Sequence, residues 1–142
     1  MASKSIKVIF DTNVWISFLI GKRLTIIKEY IVDGRIIIIT TEQLLIEIKE
    51  VTRRKKLKKY FSQKNVEELI QLLEIIAIEV PVTPTHAISR DPKDNFLLDL
   101  IDFSKADYLV TGDKDLLEHN PFRTAKIVNP SDFEKILKKI KN

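Results

Sequence analysis

The chain has 142 residues, 44% of them apolar and 31% charged, which excludes a disordered polymer and leaves enough apolar side chains for one buried core. It contains no cysteine, so disulfide scaffolds and thiolate metal sites are excluded. A formal charge of +4 and a pI near 9.2 point modestly toward an anionic partner.

The opening residues, Met1 to Ile6, run straight into apolar sequence without the apolar h-region of a signal peptide, and no apolar stretch reaches the ~18 residues that span a bilayer. The expectation is one domain over residues 1–142, cytoplasmic, with no membrane contact, internal repeat, low-complexity segment or linker. Richness in Ile, Lys and Glu leans toward a heat-adapted source.

The run from Lys7 to Phe10 suits a buried strand, and Asp11 follows where the apolar run stops. A charge at the mouth of a buried strand is costly unless something pairs with it. In open α/β sheets that mouth is also where ligands bind. Asp11 therefore has two readings at this point: a cap for the short helix that follows, or a functional carboxylate. A second helix is predicted from Lys22-Arg23 to Asp33-Gly34, with Leu24, Ile27, Tyr30 and Ile31 inward. Ile36 to Ile39, four β-branched residues without alternation, predict a strand buried on both faces.

Thr40 and Gln43 have the spacing of a capping box, opening a helix to about Val51. Leu44, Leu45, Ile48 and Val51 form its inner stripe, and Glu47 flanks that stripe while Glu42 and Glu50 project further away. Arg53, Arg54, Lys55, Lys56, Lys58 and Lys59 then form a dense basic run. It is read either as a solvated helix end or as a set of contacts to nucleic-acid phosphates. In the second reading Lys22 and Arg23 join Arg53, Arg54, Lys55 and Lys56 as candidate nucleic-acid contacts.

A helix is predicted over Asn65 to Ile76, a third strand over Ala77 to Val80, and a loop over Pro81 to Pro84. Asp91 before Pro92 reads as a helix N-cap. Asp94 precedes Leu97, Leu98 and Ile101 by three, four and seven residues, which predicts a carboxylate on the buried face one turn into that helix. Ala106 to Thr111 predict a fourth strand, after which Gly112 allows a special turn and Asp113 repeats the position of Asp11. Asp113 has the N-cap position of a short helix, Lys114 to Glu118, and Asp115 is a further candidate. Lys126 to Val128 predict a fifth strand, and Asn129 to Asp132 open a last helix with Phe133, Ile136, Leu137 and Ile140 inward. His86 and His119 lie far apart, without zinc spacing, and read as ordinary surface or loop residues.

Strands alternating with helices, with no two-residue hairpins, predict an α/β fold: a parallel sheet covered on both faces. Such a sheet brings Asp11 and Asp113, beyond strand ends, to the same edge as Glu47 and Asp94, in the first turns of helices. Four carboxylates gathered there repel one another unless protonated or neutralised by a cation. Without cysteine or clustered histidine, hard oxygen ligation of one or two Mg²⁺ or Mn²⁺ ions fits best. Such ions polarise a phosphodiester and activate a water.

DTN after the first strand, the glutamate in TTEQLLIEIKEV, DPKDN at a helix start and TGDKDLL after the fourth strand resemble, in order, the signatures of the PIN domain. The likeness runs from about Ile6 to Leu137 and is nearest to VapC-like toxins, the PIN-family halves of toxin–antitoxin pairs. The resemblance implies a sheet of about five strands in the order 3-2-1-4-5 and a metal-dependent endoribonuclease leaving a 5′-phosphate and a 3′-hydroxyl. It implies Asp11, Glu47, Asp94 and Asp113 as the catalytic, metal-binding quartet. Asn13 and Thr111 would be polar neighbours orienting carboxylates or water, with Asp91 and Asp115 peripheral. It further implies homodimerisation and silencing by a small antitoxin protein.

Rival readings are weaker on the residues. A haloacid-dehalogenase-type phosphatase normally has a second Asp where Asn13 stands. A phospho-receiver needs an Asp after a middle strand, and Ile39-Thr40-Thr41 has none. Three glycines without a G-x-G-x-x-G disfavour a dinucleotide site. The alternatives carried forward are a PIN-like RNA- or protein-binding module without turnover and a PIN-like nuclease for single-stranded or flapped DNA.

Overall fold

The computed structural model describes residues 5–84 and 94–140. Its frame is a five-stranded sheet of β1 (Ile6–Phe10), β2 (Ile36–Thr40), β3 (Ile78–Glu79), β4 (Tyr108–Val110) and β5 (Lys126–Val128). The spatial order is β3-β2-β1-β4-β5 and every pairing is parallel, as predicted. Among the described residues seven α-helices flank it: α1 (Thr12–Ile20), α2 (Leu24–Val32), α3 (Glu42–Thr52), α4 (Gln63–Ile76), α5 (Asn95–Ser104), α6 (Lys114–Leu117) and α7 (Pro130–Ile140).

Successive strand residues point to opposite faces. Val8, Ile9 and Phe10 are all fully buried, so helices cover both faces of the central strand. That explains why Ile36 to Ile39 show no apolar–polar alternation. Beneath the mouth of β1, Phe10 meets Trp15, Phe18 and Phe133 edge-on, with ring centroids 4.9, 5.3 and 5.5 Å away. Each such pair adds ~0.5–1.5 kcal/mol beyond its buried area. This aromatic floor fixes α1 and α7 against β1 directly below Asp11.

Several boundaries differ from the sequence-based expectation. Thr40 does not open α3: its carbonyl accepts the Val80 N–H at 2.8 Å, which keeps it in the sheet. Thr41 is the cap residue instead, without a side-chain cap bond, so the Thr40–Gln43 capping box does not form. α2 starts at Leu24, not at Lys22, because Lys22 takes a left-handed backbone (φ 56°) that interrupts the helix. α4 starts two residues early because Ser62 Oγ accepts the Asn65 N–H at 3.1 Å. β3 keeps only the middle two of its four predicted residues, and Ala77 ends α4. Gly34, at φ 76°, supplies the left-handed stop after α2. Gly112 has no positive φ, and a Cβ there would meet nothing within 4 Å, so no special turn depends on it.

The predicted helix start at Asp91-Pro92 and His86 lie outside the described residues. His119 is half-buried in the turn after α6. No described helix is long and apolar enough to cross a membrane.

Candidate active site

At the carboxyl edge of the sheet, β1 and β4 end side by side. The Asp11 N–H donates to the Val110 carbonyl at 3.0 Å, and the Thr111 N–H to the Val128 carbonyl at 3.0 Å. The ladder thus continues one residue past each strand and sets Asp11 beside Thr111. Thr111 Oγ1 donates to Asp11 Oδ2 at 2.8 Å in a buried contact.

Asp11 stands at the N-cap position of α1. Its backbone carbonyl accepts the N–H groups of Val14 and Trp15, but its carboxylate makes no side-chain cap bond to α1. Asp11 is 9% exposed. Burial raises its pKa above the ordinary carboxylate value, partly offset by the Thr111 hydroxyl and the Thr12 backbone N–H, and the Asp113 charge adds to the rise.

Asp113 does cap its helix: Oδ1 accepts the Asp115 N–H at 2.8 Å. Its own N–H donates to Thr111 Oγ1 at 3.1 Å, so one threonine hydroxyl links both strand-end acids. Glu47, half-buried on α3, accepts a 2.8 Å hydrogen bond at Oε2 from Thr12 Oγ1. Asp94 has a helical backbone in a 3-10 turn directly before α5, and the turn predicted to precede it lies outside the described residues. It is half-buried, with Oδ2 turned fully inward.

Asp11, Glu47, Asp94 and Asp113 line one open cleft of ≈ 580 Å³. Asn13, exposed, stands on its wall, and Asp115 sits behind Asp113 in the first turn of α6. Asp91 lies outside the described residues. The cleft also takes in Glu50, whose helical position predicts a side chain pointing away from the site. Glu50 follows Glu47 by three residues and shares its helix face.

Of the candidate nucleic-acid contacts, Arg54 alone lines this cleft. Arg53, Lys55 and Lys56 are exposed beside it in sequence, in and around a short 3-10 turn at Lys55–Leu57. Lys22 and Arg23 line other hollows, and Arg23 forms an exposed ion pair with Glu134 at 3.8 Å. Thr12 is a functional neighbour that sequence reasoning missed. Its one signal is a hydroxyl directly after the strand-end acid, at the first position of a helix.

Among the described residues the carboxylates facing the cleft are hard oxygen donors, with no histidine beside them. Among the described residues, no three acids or histidines close into a ready-made cation cage. A Mg²⁺ ion held there would take one or two of the carboxylates and keep several waters.

A family model described as PIN domain matches residues 7–115. An uncharacterized protein of Methanocaldococcus jannaschii, MJ1680, is 32% identical over 124 residues, covering 82% of this chain and 77% of its own. The crystal structure of PAE2754 from Pyrobaculum aerophilum aligns with a TM-score of 0.59 at 12% identity, over 95% of this chain and 89% of that one. That likeness is one of fold.

Proposed function

This chain belongs to the PIN domain family, and on that premise we propose that it is a Mg²⁺- or Mn²⁺-dependent endoribonuclease. PIN domains are generally nucleases and typically use divalent metal ions. The observation that carries the reading for this chain is the convergence of Asp11, Glu47, Asp94 and Asp113 on one cleft. A bound divalent cation there supplies Lewis-acid polarisation of the phosphodiester and a water of lowered pKa.

The chain's own residues hold that arrangement. The Thr111 hydroxyl fixes the orientation of Asp11, and the Thr12 hydroxyl fixes that of Glu47. The Asp115 N–H occupies one oxygen of Asp113. Arg54 offers a planar guanidinium at the cleft, suited to the phosphate of an approaching strand. Asn13 supplies an amide on the same wall for positioning substrate or water. The products of this hydrolysis are a 5′-phosphate and a 3′-hydroxyl.

The resemblance of DTN, DPKDN and TGDKDLL to VapC-like signatures supports a wider assignment: a cytoplasmic, dimeric toxin restrained by a small antitoxin protein. The test incubates the purified chain with single-stranded RNA, structured RNA and single-stranded DNA in Mg²⁺, Mn²⁺ or excess EDTA, beside Asp113→Asn. Cleavage by the wild type alone, lost in EDTA, is expected. Tight RNA binding without cleavage in either metal would instead make it a non-catalytic binding module. Cleavage confined to single-stranded DNA would move the substrate class.

A further inference from the structure

A second hollow of ≈ 530 Å³ lies next to the acid cleft, where α3 begins and the chain leaves β3. Gln43 and Ile46 line both, so the two spaces adjoin. The side chains along the cleft side of α3 recur at helical spacing, Gln43, Ile46, Glu47, Glu50 and Val51, and Arg54 follows just beyond the helix end. They make a track about two and a half turns long, with Glu47 near its middle and Arg54 just past one end. The hollow is the other end, and its chemistry differs from that of the cleft.

Among the described residues no lysine or arginine lines the hollow, while Glu42 and Glu79 do. Two exposed carboxylates repel a phosphate. Yet the hollow has an apolar side: Ile46 is 47% exposed, and Val82 is half-buried opposite the start of α3. Exposed apolar side chains in the same hollow as two carboxylate acceptors and one amide suit a nucleobase. Unstacked bases in single strands are read on their Watson–Crick and Hoogsteen edges.

Which base follows from donor and acceptor types. A carboxylate only accepts, whereas a glutamine amide can also donate. Guanine alone presents two adjacent donors, N1–H and the N2 amino group, to a single carboxylate, and keeps O6 and N7 as acceptors for the Gln43 amide. Adenine and cytosine offer one amino group. Uracil sets one N–H between two carbonyl oxygens, which glutamates repel.

Resting on the nuclease reading above, we propose that this hollow is a specificity subsite binding a guanine that flanks the scissile phosphate. The test uses short oligouridines with no guanosine, one guanosine or one adenosine at each position. Cleavage in Mn²⁺ is mapped, and binding is measured separately by fluorescence anisotropy with Ca²⁺ as the cation. Guanosine is expected to favour one bond by about 10-fold over uridine, and to tighten binding similarly. Glu79→Gln and Glu42→Gln, both at exposed positions, are expected to reduce that ratio severalfold.

Equal rates and affinities for guanosine, adenosine and uridine oligomers overturn the subsite even if cleavage is brisk. So does a guanosine preference that both variants leave intact. Guanosine-selective binding without cleavage supports the subsite and sinks hydrolysis. Absence of both sinks the two together.

Discussion

Thr111 Oγ1 donates to Asp11 Oδ2 at 2.8 Å across the β1–β4 pair, joining residues 100 positions apart in sequence. The same oxygen accepts the Asp113 N–H at 3.1 Å, and Thr111 is fully buried. Thr111→Val keeps the shape and deletes this bridge, leaving a buried carboxylate oxygen short of a donor. The expected cost is ~1–3 kcal/mol of stability by urea denaturation. Cleavage should fall at least ~10-fold, as when the residues that orient ligands are removed. Thr111→Ser should recover most of both. A valine variant as stable and active as the wild type would show the hydroxyl to be incidental.

The raised pKa of Asp11 has a consequence for stability. Its first cause is burial, and the nearby Asp113 charge adds to it. A carboxyl whose folded pKa lies above its unfolded value carries no penalty below the ordinary value of 3.8, where both states are protonated. As pH rises through the window from 3.8 to the raised folded value, ionisation penalises the folded state, and the penalty stays constant above it. In EDTA, Asp11→Asn should therefore be more stable than the wild type at pH 7. The difference should shrink as pH falls toward 3.8. Urea midpoints at pH 4 and 7 measure it, and an asparagine variant less stable at pH 7 would contradict the assignment.

The fold is legible in the sequence because buried parallel strands leave little ambiguity. Ile36 to Ile39 and Val8 to Phe10 admit hardly any other structure, and the β3-β2-β1-β4-β5 order agrees with the implied one. The site is legible in its acids, since Asp11 and Asp113 each follow a strand. Its supporting hydrogen bonds are not. Thr12 and Glu47 meet across 35 residues, and Thr111 and Asp11 across 100. No local pattern signals such pairs, because they depend on the register of neighbouring elements. The false capping box at Thr40 has the same origin: whether that residue starts a helix is decided by Val80, which pairs with it from beyond β3.

Cation binding should be visible without any substrate. Carboxylates that repel one another in the apo protein gain more from a cation than isolated acids do, so Mn²⁺ should raise the melting temperature. At a concentration 100-fold above Kd the gain is about 2.7 kcal/mol. Asp94→Asn and Asp113→Asn should each weaken the shift while raising stability in EDTA or leaving it unchanged. A wild-type melting temperature indifferent to millimolar Mn²⁺ and Mg²⁺ would remove the cation from the site. Retention of the full shift in both variants would move the ion elsewhere.

The basic run after α3 separates into two electrostatic roles. Arg54 lines the acid cleft, whereas Arg53, Lys55, Lys56, Lys58 and Lys59 are exposed outside it. A phosphate near the acids is repelled by five cleft carboxylates, and among the described residues Arg54 is the cation that lines the cleft with them. Arg54→Gln should therefore weaken cleavage and binding together. Replacing Lys55 and Lys56 with Gln should act through counterion release, flattening the slope of log K against log salt by ~0.7 for each phosphate no longer neutralised. Lys22 and Arg23 line other hollows, and Arg23 is paired with Glu134, so their replacement should change that slope less. Anisotropy titrations of labelled RNA between low and high salt distinguish the cases. An unchanged slope in the Lys55/Lys56 double variant would reduce those lysines to solvated surface, and an unchanged affinity in Arg54→Gln would leave the cleft without its proposed phosphate ligand.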